Sequence, residues 1–439
     1  MYDVIIRDGT IVRSSGRLVA DIAIQDGKIA YVGGNPGGPA KEEISAIGRF
    51  VMPGVIDAHV HFRDPGDAAK ESWATGSQEA LRGGVTTVLD MPTTEPPTLC
   101  MDTVQAKLER AAGGSLVNYG VWAGASASNT ADLGELWASG KVCGTMVYMG
   151  ESSGPFGITA AQLEEVFQSS EGLLGVHAED QATLEAARSA HDGVDNPVHN
   201  DVRPPAASVK AVETLIDLVQ RTQRPVHICH LSTAGELAVL DPYRGDLPIT
   251  AEVSPHHLFL STDNAGDLGS LVKTDPPVRP ELDRRAMVAA LKRGRLDTFG
   301  SNHAPHTLAE KQQDYWSTPS GLPTVGTMFP LILGALKNGR IGLEMMVSMC
   351  SETPARIFNL EGKGRIEEGA DADLIMFRDG VTTKLTKDMV TAHCGWSPFV
   401  GREVGVPPDF VMVNGHISAR HGVVVEGSPV GKAVTYSGR

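Results

Sequence analysis

Histidines stand at the ends of several apolar, β-branched segments of this chain. His59 and His61 form an H-x-H pair at the end of VMPGVIDAHVHF, and side chains that alternate along a strand place both on one face, as two ligands of one metal ion require. His177 stands at the end of the apolar run of LLGVHA, His230 stands near the end of PVHICHL, and His303 directly follows LDTFGSN. His59, His61, His177 and His230, at the ends of three different segments, predict a metal site rather than core packing.

Eight segments of this type alternate with longer helix-like segments. The strand candidates are VMPGVIDAHVHF, GVTTVLDMP, LVNYGVWAG, VCGTMVYM, LLGVHA, PVHICHL, PITAEV and LDTFGSN. Stretches between them, such as ESWATGSQEALRGG and AASVKAVETLIDLVQRT, have the apolar spacing of helices. Eight β-α units predict an α/β fold of the (β/α)8, or TIM barrel, type, whose active site lies at the carboxyl ends of the strands.

Both ends of the chain have a different pattern, in which apolar and polar residues alternate around turn signals. The first fifty residues contain 8–9 and 26–27, both Asp-Gly, and the last part contains 414–415, Asn-Gly, between two β-rich runs. We expect the two ends to form one small β-sandwich. The predicted domains are therefore 1–50 with 365–439 for the sandwich and 51–364 for the barrel.

Composition narrows the range of partners. The formal net charge is −15, which disfavours binding to nucleic acid or to an anionic membrane surface because both require a basic face. No segment approaches the roughly 18 apolar residues of a membrane span, and no leader pattern opens the chain, so we expect a cytoplasmic protein. The five cysteines are scattered and lack C-x-x-C spacing, which indicates neither a disulfide framework nor a thiolate zinc site. A small molecule is the expected partner.

Several motifs resemble those of one enzyme family. GVIDAHVHFRDPG, GGVTTVLDMPTTEPPT, EVSPHHLFLS, SNHAPH and GRIEEGADADLIMF are similar, in the same order, to the signatures of the cyclic-amide branch of the amidohydrolases: dihydroorotase, hydantoinase and allantoinase. In that family two zinc ions are held by the H-x-H pair, two later histidines, a side-chain-carboxylated lysine of strand four and an aspartate of strand eight. The resemblance implies that His59 and His61 bind one metal ion and that His177 and His230 bind the other.

The chain departs from the family pattern at two positions that carry this chemistry. The family pattern of strand four is G-x-K-x-F-M, whereas this chain reads GTMVYM at 144–149. Met146 therefore occupies the place of the carboxylated lysine, and a thioether supplies neither charge nor a bridge between metals. Asn302 occupies the place of the catalytic aspartate, and an amide cannot accept the proton that a general base takes from water. Glu151 is a candidate replacement ligand or else a solvated loop residue, and Asp180 is a weaker candidate whose alternative role is at a helix start.

Three further residues bear on the substrate. Arg63 matches the arginine with which dihydroorotases hold a substrate carboxylate, and His306 matches a substrate-contacting histidine. Thr93 stands where the family has asparagine, and its hydroxyl could donate one hydrogen bond to the substrate. His227 matches no ligand position and is interpreted as a satisfied histidine inside a strand.

Two functional hypotheses follow. The first is a hydrolase that opens the C–N bond of a cyclic amide or ureide, with zinc in one or two copies, an altered or mononuclear centre, and activity weakened by Asn302. The second is a catalytically inactive scaffold or binding protein, favoured by the two departures at Met146 and Asn302. The expected assembly is a homodimer or homotetramer.

Overall fold

A computed structural model describes residues 1–150, 155–429 and 431–438 of the 439-residue chain. Its strands, in chain order, are β1 Tyr2–Arg13, β2 Gly16–Gln25, β3 Lys28–Gly33, β4 Ala40–Ser45, β5 Phe50–Pro53, β6 Val55–Val60, β7 Val85–Asp90, β8 Asn118–Val121, β9 Ala123–Gly124, β10 Thr145–Tyr148, β11 Leu174–His177, β12 Val226–Ile228, β13 Ile249–Val253, β14 Thr298–Phe299, β15 Leu374–Phe377, β16 Thr382–Lys384, β17 Glu403–Gly405, β18 Phe410–Val413, β19 His416–Arg420 and β20 Val423–Val424.

The α-helices, in chain order, are α1 Trp73–Arg82, α2 Met101–Ala112, α3 Leu133–Ala138, α4 Ala160–Ser169, α5 Gln181–Ala190, α6 His199–Val202, α7 Pro205–Thr222, α8 Ala234–Leu240, α9 Pro255–Phe259, α10 Glu281–Lys292, α11 Leu308–Lys311, α12 Val325–Lys337, α13 Leu343–Val347 and α14 Thr353–Ile357. Short 3-10 turns cover Thr130–Asp132, Asp241–Tyr243, Gly266–Val272 and Lys387–Met389, and a π-helical turn covers Ser348–Glu352.

Strands β6 to β14 form the barrel. They pair in parallel as β6-β7-β8 and as β9 to β14, and β8 and β9 are separated only by Trp122. The barrel closes where Val60, the end of β6, bridges His303 after β14, and the His61 backbone N–H donates to the His303 carbonyl at 2.7 Å. Each of the eight strand candidates contains at least one of these nine strands, with β8 and β9 both in LVNYGVWAG, so the predicted fold class is confirmed.

Helices surround the barrel because their apolar stripes face the outer side of the strands. The two helix-like stretches singled out in the sequence correspond to α1 and α7. Helix α1 begins after Ser72, whose hydroxyl accepts from the Thr75 N–H in a capping box, and α7 buries Ala211, Leu215 and Val219 on one face. In the described part of the chain, no helix combines the length and apolar character that crossing a membrane requires.

The inside of the barrel is filled below its carboxyl end. The cluster there includes Leu89, Trp122, Met146, Cys229 and Phe358, all almost fully buried. Alternation along the parallel strands sends Leu89 and Met146 inward, and Phe358, which follows α14, packs against Trp122. Among the described residues, the interior below the rim is therefore a packed core.

Strands from both ends of the chain share one sheet, ordered β20-β19-β18-β15-β5-β1-β2-β3, with β4 paired to β1. Antiparallel pairing of Met52 with Ile375 joins the two ends, and one apolar cluster underlies strands from both. The predicted union of the termini is thus confirmed. The last residues also lie along the barrel, because the Tyr119 N–H donates to the Lys432 carbonyl at 3.0 Å; the division at residues 50 and 365 stays a prediction.

Candidate active site

A cavity of about 450 Å³ opens at the carboxyl ends of the barrel strands. Nine of the candidate site residues line it: His59, His61, Arg63, Thr93, Met146, His177, His230, Asn302 and His306. The strand ends bring together residues that are up to 247 positions apart (59 to 306) in the chain. Their functional roles stay predictions, but their convergence on one cavity is a property of the fold.

The H-x-H pair is held by hydrogen bonds on one nitrogen of each ring. His59 Nδ1 lies 2.8 Å from Glu252 Oε1, and His61 Nδ1 lies 2.6 Å from Thr93 Oγ1. Burial alone would raise the pKa of Glu252, but His59 and His227 outweigh it and lower that pKa, so the carboxylate is charged. A charged acceptor fixes the His59 proton on Nδ1, which leaves Nε2 free as a ligand.

His177 and His230 face each other across the cavity floor. His177 Nδ1 lies 3.1 Å from His230 Nε2, while His177 Nε2 lies 2.9 Å from Glu179 Oε2. Burial would raise the pKa of Glu179, but Arg203 and His177 lower it to about 2. The charged carboxylate holds the His177 proton on Nε2, so its Nδ1 presents a lone pair toward His230.

The four histidine rings form a continuous row. Ring centroids are 5.6 Å apart for His59 and His61, 5.2 Å for His59 and His230, and 4.9 Å for His177 and His230. Burial, together with the charges of neighbouring residues, lowers the pKa of both His61 and His230 well below the usual range. Neutral imidazoles are the form that binds a cation, and the facing nitrogens of His177 and His230 are close enough to reach one ion at the usual ~2.1 Å.

Met146 and Asn302 stand where the family pattern has its lysine and aspartate. Met146 is 1% exposed and packs in the apolar layer below the histidines, against Gly175. Asn302 is 7% exposed and lines the cavity. Neither side chain offers a negative charge to the histidine row.

Three cavity residues have left-handed backbone conformations. The φ angles are 60° at Arg63, 39° at His230 and 48° at Asn302. Such angles are sparsely populated by residues other than glycine and persist where the surrounding structure imposes them, which is common at functional sites. Asparagine tolerates this conformation better than most residues, so position 302 accepts Asn without further strain.

Arg63 places a half-buried positive charge on the cavity wall. Its Nη2 donates to His306 Nε2 at 3.1 Å, and burial together with the Arg63 charge lowers the pKa of His306 to about 2, so this histidine is neutral. Within the described residues no carboxylate forms an ion pair with Arg63, and its Nε has no hydrogen-bond partner. Thr93, predicted to contact substrate, has its hydroxyl on His61 instead.

A second buried cluster lies behind Asn302 and consists of Glu71, Glu79 and His303. His303 Nε2 is 3.4 Å from Glu71 Oε2, and Nε2, Glu71 Oε2 and Glu79 Oε2 lack hydrogen bonds to other described residues. The three groups are close enough to share an ion. However, His303 Nδ1 accepts the N–H groups of Thr324 and Val325 at 3.0 and 3.3 Å, so the ring proton is on Nε2. A protonated Nε2 cannot bind a metal ion. We therefore interpret the cluster as a hydrogen-bonding network in which the His303 Nε2 proton faces Glu71.

The remaining candidates lie elsewhere. Glu151 is outside the described residues. Asp180 accepts from the Thr183 N–H at 2.9 Å at the start of α5 and pairs with Lys210, as its helix-start interpretation implies. His227 lies inside the barrel with Nδ1 2.8 Å from Thr250 Oγ1.

Glu252 and Glu179 are the functional neighbours that motif reasoning did not single out. Both stand next to motif residues in the sequence, in EVSPHH and HAED, but each contacts its histidine only in the folded chain. Glu179 follows His177 by two residues, a spacing that could have suggested the contact. Glu252 is 193 residues from His59, and no local signal links them.

Comparison with known proteins now identifies the family. The family model described as "Amidohydrolase family" matches residues 50–418. This chain belongs to the amidohydrolase family. A dihydroorotase of Halobacterium salinarum is 38% identical over 94% of this chain and 95% of its own length, and one of Methanosarcina acetivorans is 35% identical over 95% and 92%. An L-hydantoinase (dihydropyrimidinase) from Arthrobacter aurescens has a TM-score of 0.94 and 28% identity, covering 99% of this chain and 100% of its own.

These names place the chain in the cyclic-amide branch of the amidohydrolases, as the sequence motifs predict. The three relatives are named as dihydroorotases and as an L-hydantoinase (dihydropyrimidinase), and they lend no support to the scaffold hypothesis or to allantoinase. The departures at Met146 and Asn302 therefore occur within an enzyme family whose fold the chain keeps over nearly its full length.

Proposed function

We propose that this chain is a metal-dependent hydrolase that opens a C–N bond of a cyclic amide carrying a carboxylate, with dihydroorotate as the best-fitting substrate. The observation that carries the proposal is Arg63, a half-buried guanidinium on the cavity wall with no ion-pair partner among the described residues. A planar guanidinium pairs best with a carboxylate, whereas an uncharged ring such as hydantoin would leave the charge unmatched. The similarity to proteins named dihydroorotase supports the same substrate.

The position of Arg63 relative to the histidines also supports a substrate ring that carries a negative charge. Arg63 follows His61 by two residues, and both line one cavity. A carboxylate held at Arg63 therefore places the attached ring against the histidine row. The neutral His306 beside Arg63 lines the same cavity and adds no charge to it.

A divalent cation, with zinc as the expected ion, fits the four histidines. The second nitrogens of His59, His61 and His177 are engaged by Glu252, Thr93 and Glu179, which leaves one lone pair on each ring for a cation. When bound, such an ion supplies a Lewis acid for the amide carbonyl and lowers the pKa of water. Met146 offers no bridging group, so we expect a centre with one ion.

Asn302 sets the limit on the rate. Its amide can donate and accept hydrogen bonds, but it cannot take a proton from water and pass it to the leaving nitrogen. Loss of a positioned general base costs about 10²–10⁴-fold in rate. We therefore expect slow but measurable turnover.

The first experiment measures zinc content and ring opening on the same preparation. Protein loaded with zinc and then buffer-exchanged should retain at least one ion per chain and open dihydroorotate in preference to dihydrouracil and hydantoin. Arg63→Met should remove the preference for the charged ring while leaving the zinc content unchanged. Loss of all zinc on buffer exchange, or equal turnover of charged and uncharged rings, would contradict the proposal.

Restoring the missing groups tests the role of Asn302 and Met146. Asn302→Asp should raise turnover of a five- or six-membered cyclic amide by about 10²–10⁴-fold with little change in fold. If Asn302→Asp binds metal but is inactive, and the double variant Met146→Lys with Asn302→Asp is active, then the missing bridging lysine limits activity more than the missing aspartate does. If the double variant is also inert, the scaffold hypothesis becomes the better one.

Assembly and location complete the proposal. A homodimer or homotetramer remains our expectation, and sedimentation equilibrium of the zinc-loaded protein measures it directly. A cytoplasmic location likewise stays a prediction.

A further inference from the structure

Tyr148 is a further departure from the family pattern. It is the last residue of β10, two positions after Met146, where the pattern G-x-K-x-F-M has phenylalanine. The chain therefore has an additional hydroxyl in the same strand that lost the lysine. Tyr148 is 6% exposed and lines the cavity.

The Tyr148 hydroxyl has no hydrogen-bond partner among the described residues, and it is shielded from solvent. Its ring contacts those of Phe156 and His177, with centroids 5.2 and 5.9 Å away. A buried hydroxyl without a partner is costly, and one on a cavity wall is satisfied when a ligand brings the acceptor.

Charge near the phenol favours an anionic acceptor. The positively charged Arg63 lines the same cavity as Tyr148 and attracts an anion to this wall. A phenol hydroxyl can donate a hydrogen bond to an oxygen atom of that anion.

A donor is also missing from this side of the cavity. The family pattern has asparagine at position 93, whereas the Thr93 hydroxyl here lies 2.6 Å from His61 Nδ1 and is committed to that ring. Relative to the family pattern, the chain therefore lacks an amide donor at position 93 and has an additional phenol donor at Tyr148.

We propose that the Tyr148 hydroxyl donates a hydrogen bond to the ring carboxylate of the substrate, beside Arg63, in place of the asparagine of the family pattern. The inference rests on the proposed function, because it assigns a specificity-determining residue for the same substrate. Tyr148 remains a neutral hydrogen-bond donor throughout and takes no part in proton transfer.

The test compares charged and uncharged rings with Tyr148→Phe, which removes one oxygen atom and keeps the ring. For dihydroorotate, KM should rise by about 10- to 100-fold, the usual effect of losing a hydrogen bond to a charged group, with kcat nearly unchanged. For dihydrouracil, which lacks the carboxylate, neither constant should change. Tyr119→Phe is the matched control, because Tyr119 is equally buried but packs against Trp73 outside the cavity.

Equilibrium binding separates this inference from the proposed function. Calorimetry with orotate and uracil, which are not hydrolysed substrates, should show that Tyr148→Phe weakens binding of orotate and leaves binding of uracil unchanged, even if the protein turns over no ring at all. Equal orotate affinity for wild type and Tyr148→Phe would overturn the inference while ring opening by the wild type still stood. A fall in kcat shared by dihydroorotate and dihydrouracil would also overturn it, since it would place the hydroxyl at the reacting carbonyl.

Discussion

Glu79 allows a quantitative prediction, because its carboxyl group is buried in the network behind Asn302. Burial, with Glu71 nearby, raises the pKa of Glu79 from its ordinary 4.5 to about 7. The folded protein therefore holds a proton between these two pH values that the unfolded chain releases. A folded-state pKa raised in this way means that stability is greatest below pH 4.5 and falls as pH rises to about 7.

The magnitude follows from the size of the shift. Each pKa unit corresponds to about 1.36 kcal/mol, so the rise of the Glu79 pKa to about 7 costs the folded state about 3 kcal/mol at pH 8. Glu79→Gln removes this cost, because glutamine carries no charge. Its carbonyl oxygen can still accept from the Gly326 N–H, which lies 3.2 Å from Glu79 Oε1, and its NH₂ can donate to Glu71.

Thermal unfolding from pH 5 to pH 8 measures the effect. Unfolding entropies near 2.1 cal/mol/K per residue convert about 3 kcal/mol into roughly 3 °C for a chain of 439 residues. Glu79→Gln should match wild type closely near pH 5 and exceed its Tm by that amount at pH 8. The exposed Glu165→Gln serves as the control and should not alter the pH profile. A Tm difference between Glu79→Gln and wild type that is independent of pH, or that shrinks as pH rises, would refute the reasoning.

Two further predictions concern groups that support the site. Thr93→Val removes the hydroxyl that lies 2.6 Å from His61 Nδ1 and should weaken zinc affinity by about 10- to 100-fold in a competition assay with a chromophoric chelator; unchanged affinity would show that Thr93 does not orient the ring. Lys107→Met leaves the buried Asp90, which lies 2.5 Å from Lys107 Nζ, without its counter-ion. Urea titration should show a free energy of unfolding about 3–5 kcal/mol lower than that of wild type. The double variant Lys107→Met with Asp90→Asn should regain much of this lost free energy of unfolding.

The fold could be predicted because its signals are local. Each barrel strand is a short apolar run and each hairpin carries its own turn residues, such as Asn414, which adopts a φ of 49°. The rule that active sites lie at the carboxyl ends of barrel strands then placed His59, His177 and His230 at one rim. Domain boundaries follow no such rule, and the pairing of the chain's last residues with Tyr119 in the barrel had no signal in the sequence.

The sequence predicted which residues belong to the site, but not the contacts that their side chains make. A motif gives the residue type at a strand end, but it does not tell which neighbour a side chain will contact. Thr93 shows this, because it matches a substrate-contacting position and yet bonds to His61. The same limit hid Glu252, whose contact with His59 spans 193 residues. The contacts that orient metal ligands form between residues that are distant in the chain, so they cannot be read from a single sequence.

The shared sheet cannot be completed during synthesis until the ribosome has produced β15. Strand β5 pairs with β1 on one side and with β15 on the other, and residues 54–373, a stretch of 320, separate the two partners of the second pair. At about 5–20 residues per second, synthesis of that stretch takes roughly 15 to 60 s. A chain that ends before β15 lacks the partner strand of Val51 and Met52, and an unpaired strand edge is a template for pairing with other chains. Truncations that end before Leu374 should therefore aggregate even if the barrel itself is complete.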